Sequence, residues 1–343
     1  MNAVEKMLDT NKPNLGVMLH ITPQGEQTPS QTFAEFTELV QTIESIGFDE
    51  AWVTEHHFTP HSLTPNPLLM MGHFLAHTQT LKLGAAAVLL GFHNPIEVAE
   101  QLAVLNTLHP HRVLCGFAKG GPFESQNATF KADGELSRER MEEAVPALIE
   151  LFKTANHTHQ GQHYQWESVA LHPQSIFENQ RFLIATSNPS TLRLAAKNSL
   201  GLMSAQFWDS AKIAHNIKVY QQQHPQRHKP DMMVARGLFI DDDSQVAMEK
   251  ALAHIHAFRT QKSQLWGKHK GPMQGMDDAQ LLGRMLYGTV DEVRQQTQRL
   301  VDIGVTRLGL NPLTSQHECR LNQLERFYYE VWPFINAKVS AVA

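Results

Sequence analysis

Three ionisable residues stand together where a short apolar segment ends. Glu55, His56 and His57 follow Ala51-Trp52-Val53, with only Thr54 between them. Imidazole changes its charge near neutral pH, so a histidine that faces a cavity can accept or donate a proton during a reaction. We therefore predict that one of the two histidines is a catalytic acid or base. The alternative is a buried, hydrogen-bonded histidine at the end of a strand.

A metal site is the other chemistry that this cluster suggests, because His61 follows closely. Successive side chains of a strand point in opposite directions, so His56 and His57 do not readily bind one ion. The chain has 20 histidines, but most of them are scattered. We predict no metal site.

A well-marked helix precedes the strand that carries the cluster. Thr32 and Glu35 have the spacing of a capping box, and Gly47 is a plausible end. The helix has an apolar face formed by Phe33, Phe36, Leu39, Val40, Ile43 and Ile46. The ionisable cluster therefore follows a helix–strand unit. In α/β folds the carboxyl ends of the strands carry the chemistry, because their loops converge on one cavity.

Apolar strands and helices alternate eight times along the 343 residues. We predict strands at 14–20, up to 53, 81–89, 113–117, 181–185, 201–205, 232–240 and 307–310. This pattern indicates a single (β/α)8 TIM barrel with insertions that spans residues 1–343. The alternative is an open doubly wound sheet, which is less favoured because no Gly-x-Gly-x-x-Gly follows the first strand.

Composition narrows the class of protein. The formal charge of −5 gives no broad basic field for nucleic acid or acidic membranes. The chain has only two cysteines, no signal-peptide core at its start and no apolar run of membrane-spanning length. We expect a cytoplasmic protein with neither a nucleic-acid nor a membrane partner.

Two segments at strand ends could bind an anion. Lys119-Gly120-Gly121 combines a positive charge with glycines that let backbone amides approach closely. Ser187-Asn188-Pro189-Ser190-Thr191 follows a strand and opens a helix, where hydroxyls and amides bind anions. Each segment alone is explained equally well by a turn, or by Ser190 as a helix cap. Together they suggest a phosphorylated ligand whose flat part lies over the barrel mouth.

Ala85-Ala86-Ala87 ends the third predicted strand with three small side chains. Close packing of a helix on the strand would explain them. The functional interpretation is that small side chains leave space for a planar ring above the strand.

Several motifs, in this order, resemble a known family. They are Thr54-Glu55-His56-His57-Phe58, Asn66-Pro67-Leu68, Gly84 to Leu89, His93-Asn94-Pro95, His111-Arg112, Gly116, Lys119-Gly120, Ser190-Thr191 and Gly288 to Glu292. Over nearly its whole length the chain resembles the bacterial luciferase-like flavin-dependent monooxygenases and is similar to the luciferase α subunit.

The resemblance implies a TIM barrel that takes reduced FMN as a co-substrate and activates O2 through a flavin C4a-peroxide to oxidise a small organic substrate. By position, His56 resembles the catalytic histidine of the family. Ala86 and Ala87 resemble a pair joined by a cis peptide bond beneath the flavin. The FMN phosphate would be held by Lys119, Ser187, Asn188 and Thr191.

The resemblance also implies partners. A separate flavin reductase would supply reduced FMN, because the chain shows no nicotinamide-binding fingerprint. A homodimer would form through the apolar helices at 33–46 and 67–78.

This chain departs from luciferase at the flavin site. Lys119 replaces an arginine, Ala118 a reactive cysteine and Ser187 a glutamate, while Gly121 and Pro122 replace larger residues. These changes disfavour light emission and the use of long-chain aldehydes. Two other functions remain open, a deazaflavin-dependent oxidoreductase on the same barrel and a non-catalytic flavin-binding protein.

Overall fold

The structure, a computed structural model, describes residues 12–121, 123–266 and 273–336. Its strands are β1 (Asn14–Leu19), β2 (Glu50–Val53), β3 (Lys82–Leu89), β4 (Val113–Ala118), β5 (His157–Gln160), β6 (Gln165–Val169), β7 (Phe182–Ala185), β8 (Gly201–Met203), β9 (Met232–Ile240), β10 (Met285–Gly288) and β11 (Arg307–Pro312). Its helices are α1 (Pro29–Ile46), α2 (Pro67–Ala76), α3 (Pro95–Leu108), α4 (Glu124–Thr129), α5 (Gly134–Lys153), α6 (Pro189–Lys197), α7 (Ser210–Gln223), α8 (Ser244–Trp266), α9 (Asp278–Leu282), α10 (Val290–Asp302) and α11 (His317–Arg326).

Eight parallel strands close into a barrel. They pair in the order β1, β2, β3, β4, β7, β8, β9 and β11, and β11 pairs with β1 to complete the ring. Helices lie between successive strands, so the structure confirms the predicted TIM barrel and rules out the open sheet. The closed ring places the carboxyl ends of all eight strands around one mouth.

Trp52 fills the space inside the barrel and is completely buried. A Cβ atom on Gly84 would lie 2.3 Å from the Trp52 ring, so only glycine fits beside it on β3. The cluster inside the barrel also contains Met18, Ala87, Leu114, Leu183, Met203, Met233 and Ala235. These side chains pack the interior, and the mouth above them is left for chemistry.

The start of α1 differs from the prediction. Thr28 caps the helix, and its side chain and that of Gln31 form the capping box. Pro29 occupies the first helical position, which its fixed φ favours. The Thr32 hydroxyl bonds to the Thr28 carbonyl one turn back, and Glu35 pairs with Arg320. The predicted end at Gly47 is confirmed, since this residue has a left-handed φ of 114°.

Four short elements, α4, β5, α9 and β10, lie outside the eight predicted strands and the helices between them. The segment 123–136 contains α4 and the first turn of α5, and β5 pairs antiparallel with β6. The segment 262–286 contains α9 and the start of β10, which adds to the end of β9. Short elements carry little periodic pattern, so tertiary contacts decide them. Residues 267–272 of that segment lie outside the described residues, as does Pro122.

Across the described parts of the chain, no helix combines the length and apolar character needed to cross a membrane.

Candidate active site

Glu55 is the centre of a hydrogen-bonded network at the end of β2. Its carboxylate is buried and accepts a hydrogen bond from the Leu89 backbone N–H at 2.9 Å. The Nε2 atoms of His57 and His93 each lie 2.7 Å from Glu55 Oε1 and donate to it. A buried carboxylate needs such donors, because an unpaired charge is costly away from water. The network joins β2, the end of β3 and the residue before the cap of α3.

The network shifts two pKa values in opposite directions. Burial would raise the pKa of Glu55, but the hydrogen bonds from His57, His93 and Leu89 outweigh it and hold the pKa below its usual value. Burial would lower the pKa of His93, but its hydrogen bond and charge interaction with Glu55 raise it. Both shifts favour an ionised carboxylate beside a protonated His93.

The three ligand atoms of Glu55, His57 and His93 lie within 4.8 Å of one another. That spacing would also suit a cation, but the two imidazoles already donate hydrogen bonds to the carboxylate. The contacts are those of a hydrogen-bonded network. His56 is not part of it, which agrees with the expectation that adjacent histidines diverge.

His56 faces a different space. It lines a cavity of about 410 Å³ that lies over the ends of β1 and β11, together with His20, Ser62 and Asn311. Its ring lies 6.4 Å from that of His20 and 6.0 Å from that of Phe123, between ring centroids. A hydrogen bond of 3.0 Å from its backbone N–H to the Thr64 carbonyl holds its main chain. The imidazole is thus placed where it could exchange a proton with a ligand.

A second cavity, of about 460 Å³, lies at the ends of β4 and β7. It brings together four of the predicted phosphate-binding residues, Lys119, Ser187, Asn188 and Thr191. Arg138, from the first turns of α5, lines the same cavity and was not predicted. The sequence offered no signal for Arg138, because a helix with several charged residues does not reveal which of them turns toward a site.

Lys119 and Arg138 bring two positive charges to this cavity, and Arg138 is paired with Glu135. Burial lowers the pKa of Lys119, and the positive charge of Arg138 lowers it further. The Lys119 Nζ lies beside Gly134 at the start of α5, where a Cβ atom would be 3.3 Å away. A bound anion would relieve the repulsion between the two cations.

Hydroxyl groups at the start of α6 face a carboxylate. Asn188 caps the helix, since its Oδ1 accepts from the Ser190 backbone N–H at 2.9 Å, so Ser190 is not the cap that the sequence suggested. The hydroxyls of Ser190 and Thr191 both donate to Glu142 of α5, that of Ser190 at 2.7 Å. A phosphate bound here would compete with Glu142 for these donors.

The backbone conformation and a close contact explain why residue 120 is a glycine. Its φ of 101° lies in the left-handed region, and a Cβ atom would lie 2.6 Å from the Phe92 ring. Gly120 and Ser190 do not line the cavity that Lys119 lines. Their predicted contact with a cofactor therefore stays a prediction.

Three neighbouring strands of the barrel carry small side chains. Ala86, Ala118 and Ala185, on the neighbouring strands β3, β4 and β7, pack on the cluster inside the barrel. The peptide bond between Ala86 and Ala87 is cis, and the pairing of β3 with β4 shifts register between Ala85 and Val88. The predicted cis bond is confirmed. The three alanines have small side chains, which leave room above the cluster inside the barrel.

The family of the protein follows from its sequence and this geometry together. The family model for luciferase-like monooxygenases matches residues 14–307, which includes seven of the eight barrel strands and the first residue of β11. The chain belongs to that family. The predicted resemblance is confirmed, and the relatives of this chain support an enzyme of the flavin-dependent monooxygenase and oxidoreductase type.

Among known proteins, the chain is 23% identical over 291 residues to the oxygenase component of flavin-dependent trigonelline monooxygenase from Acinetobacter baylyi, covering 81% of this chain and 80% of that one. Two solved structures share the fold. One is the oxygenating constituent of 3,6-diketocamphane monooxygenase from Pseudomonas putida in complex with FMN (TM-score 0.74, 16% identity, 95% and 99% coverage). The other is an F420-dependent secondary alcohol dehydrogenase (TM-score 0.75, 17% identity, 95% and 99% coverage).

Proposed function

We propose that the protein is a monooxygenase that uses reduced FMN and O2 to oxidise a small organic substrate. The observation that carries this proposal is the placement of two cavities at one barrel mouth. One has two cations and hydroxyl groups suited to a phosphate, and the other has His56. The neighbouring strands β3, β4 and β7 carry alanines that pack on the cluster inside the barrel. A flavin mononucleotide has a phosphate at one end and a planar ring at the other, which this arrangement fits.

The residues present fit FMN at the phosphate end. Lys119 and Arg138 supply charge. The backbone N–H groups at the start of α6, and the Thr191 hydroxyl once it leaves Glu142, would supply donors. Ala86, Ala118 and Ala185 leave room for a ring. Reduced FMN would supply the two electrons that place one oxygen atom of O2 in the substrate and reduce the other to water.

His56 is proposed as the residue that moves a proton at this site. Its neighbour Glu55 is fixed from three directions, so the strand end that carries His56 is held in place. Proton transfer by a positioned histidine contributes roughly 10²- to 10⁴-fold to a rate. The walls of the cavity would also need to exclude water, because activated oxygen is otherwise lost to side reactions.

The assembly is part of the proposal. A separate reductase would supply reduced FMN, which the relative described as an oxygenase component supports. Residues 1–343 would form one barrel domain, and the protein would be a homodimer. An apolar groove of about 860 Å³ on α1, α2 and α3 supports the dimer, since its lining includes Phe33, Leu69 and Val104.

Oxygen uptake tests the proposed function. The purified protein is mixed with photoreduced FMN, and O2 consumption and hydrogen peroxide are followed with aldehydes, alkanesulfonates, ketones, amines and carboxylic acids in turn. We expect one class to consume O2 without forming an equal amount of peroxide. The same equimolar release of peroxide with every class would contradict a monooxygenase.

Two other functions remain, a deazaflavin-dependent oxidoreductase and a non-catalytic flavin-binding protein. The absorption spectrum of the bound flavin and its turnover distinguish them. The shared fold of an F420-dependent dehydrogenase makes the deazaflavin comparison necessary. Tight binding of deazaflavin in place of FMN, with hydride transfer and no O2 uptake, would replace the proposal. Stoichiometric FMN binding without turnover would indicate a flavin-binding protein.

A further inference from the structure

The cavity beside His56 has an unusual set of charges. Among the described residues that line it are one arginine, Arg320, and four histidines, His20, His56, His61 and His254. None of the described lining residues is an aspartate or a glutamate. Gln24, Gln261, Asn311 and Thr314 add further polar groups. Such a wall offers many hydrogen-bond donors and suits an anion better than an alkyl chain.

Arg320 is fixed in place at this wall. Its side chain is 8% exposed and donates to Glu35 at 2.9 Å from Nη1, while Nη2 approaches the Ser315 carbonyl at 3.4 Å. Its guanidinium also lies over the Phe36 ring, 4.8 Å from the centroid. A guanidinium has five N–H donors, and these hydrogen bonds use two of them. Arg320 is therefore an oriented donor group at the edge of the cavity.

His254 of α8 faces the same cavity. No described residue makes a hydrogen bond to its imidazole, whereas the His61 Nδ1 lies 2.6 Å from Gln261 Nε2. Burial lowers the pKa of His254, and no opposite charge offsets this effect. An anion in the cavity would provide that charge and favour a protonated imidazole. His254 is partly exposed, so its imidazole is open to a ligand in this cavity.

We propose that the substrate carries a carboxylate and that Arg320 and His254 bind this carboxylate beside His56. This inference rests on the proposed monooxygenase function, and it names carboxylic acids as the class that should respond in the oxygen-uptake assay. Recognition by an oriented guanidinium and an imidazole discriminates a carboxylate from its neutral analogues, because charge-assisted hydrogen bonds are stronger than neutral ones. His56 lines the same cavity and would face the bound molecule.

Matched pairs of probes test the charge preference. Benzoate and benzamide, phenylacetate and phenylacetamide, hexanoate and hexanamide, and indole-3-carboxylate and its amide are titrated by calorimetry into the FMN-saturated protein at pH 7. We expect the acid to bind at least tenfold more tightly than its amide in one or more pairs. Equal binding within every pair, or no binding of any acid, would overturn the proposal.

Two variants assign the preference to the cavity. His254→Ala is expected to weaken binding of the preferred acid about tenfold and to leave its amide and FMN unchanged. Arg320→Gln should have a larger effect, but it also breaks the pair with Glu35, so His254→Ala decides the outcome if that variant unfolds. An unchanged acid-to-amide ratio in His254→Ala would overturn the assignment.

Lys119→Ala is the matched control, because it lies in the other cavity. It should weaken FMN and leave the acid affinity of the flavin-free protein unchanged. If FMN displaces the acid, both ligands bind in the cavity beside His56, and the inference is wrong. If FMN does not bind at all, the proposed function fails, and the acid-to-amide ratio of the flavin-free protein still decides whether the cavity prefers an anion.

Discussion

His93 and Glu55 are 38 residues apart in the chain, yet the Nε2 of His93 lies 2.7 Å from a carboxylate oxygen of Glu55. The contact ties the segment before α3 to the end of β2, and His57 shares the same oxygen. Because Glu55 directly precedes His56, the position of the proposed catalytic histidine depends on this network. The hydrogen bonds to Glu55 therefore hold His56 in position. Because His93 gains and loses a proton, the stability of this network depends on pH.

His93→Gln tests this dependence. The pKa of His93 is raised in the folded protein, so its contribution to the free energy of unfolding is fully present below its ordinary pKa of about 6.5 and is lost as pH rises through the folded value. We expect the variant to be less stable by about 1–2 kcal/mol near pH 6, with a smaller difference at pH 8.5. Urea unfolding across this range measures it.

His109→Gln is a control in which the effect on stability should change with pH in the opposite direction. Burial and the charge of Arg112 lower the pKa of His109, so its protonation opposes folding at low pH. Replacing it should give a stability gain that grows as pH falls below about 6.5. The same pH slope in both variants would show that the Glu55 contact is not the cause.

His56→Ala should leave folding and FMN affinity nearly unchanged, while product formation falls by roughly 10²- to 10⁴-fold. The physical reason is that the ring lines the cavity and is not a member of the Glu55 network. His57→Ala is the comparison, since it removes a donor to the buried carboxylate and should act chiefly on stability. Product formation near the wild-type rate in His56→Ala would exclude the proton-transfer role.

Lys119→Ala should weaken FMN more than riboflavin, by about 1–3 kcal/mol for the loss of a charge-assisted contact. Riboflavin lacks the phosphate, so the difference between the two ligands isolates the contact. Fluorescence quenching of each flavin on titration with the protein measures both affinities. Equal losses for the two ligands would place Lys119 away from the phosphate.

Glu142→Gln should act in the opposite direction. Its carboxylate occupies the hydroxyls of Ser190 and Thr191, and its charge would repel a phosphate there. We expect FMN to bind more tightly by about 1 kcal/mol, with riboflavin unaffected. Weaker FMN binding in this variant would show that Glu142 organises the site.

The proposed dimer can be tested at two exposed residues of the groove. Leu69 is 72% and Val104 43% exposed, and both line the apolar groove on α1, α2 and α3. The double variant Leu69→Asp/Val104→Asp should convert the protein to a monomer in light scattering at micromolar concentration, because it buries charge in an apolar interface. Ile176→Asp is the matched control, since Ile176 is 79% exposed and does not line the groove. A wild-type monomer would refute the dimer.

The sequence alone determined the barrel and the position of its chemistry. Eight apolar strands separated by helices admit few topologies, and Glu55, His56 and Lys119 stand at strand ends that any such barrel brings to one mouth. Asn94 caps α3 and Pro95 is its first residue, a helix start that depends only on neighbouring residues. Local chemistry and periodicity were sufficient for these features.

Only the tertiary structure decided which residues share a cavity. His93, Arg138, Glu142 and His254 had no local signal, since each is one polar residue among several on its segment and the packing of the barrel decides where it points. The cap of α1 was misplaced because Thr28–Gln31 and Thr32–Glu35 have the same spacing, and Glu35 is bound instead by Arg320, 285 residues later in the chain. Long-range contacts of this kind depend on which strands become neighbours, which no local pattern encodes.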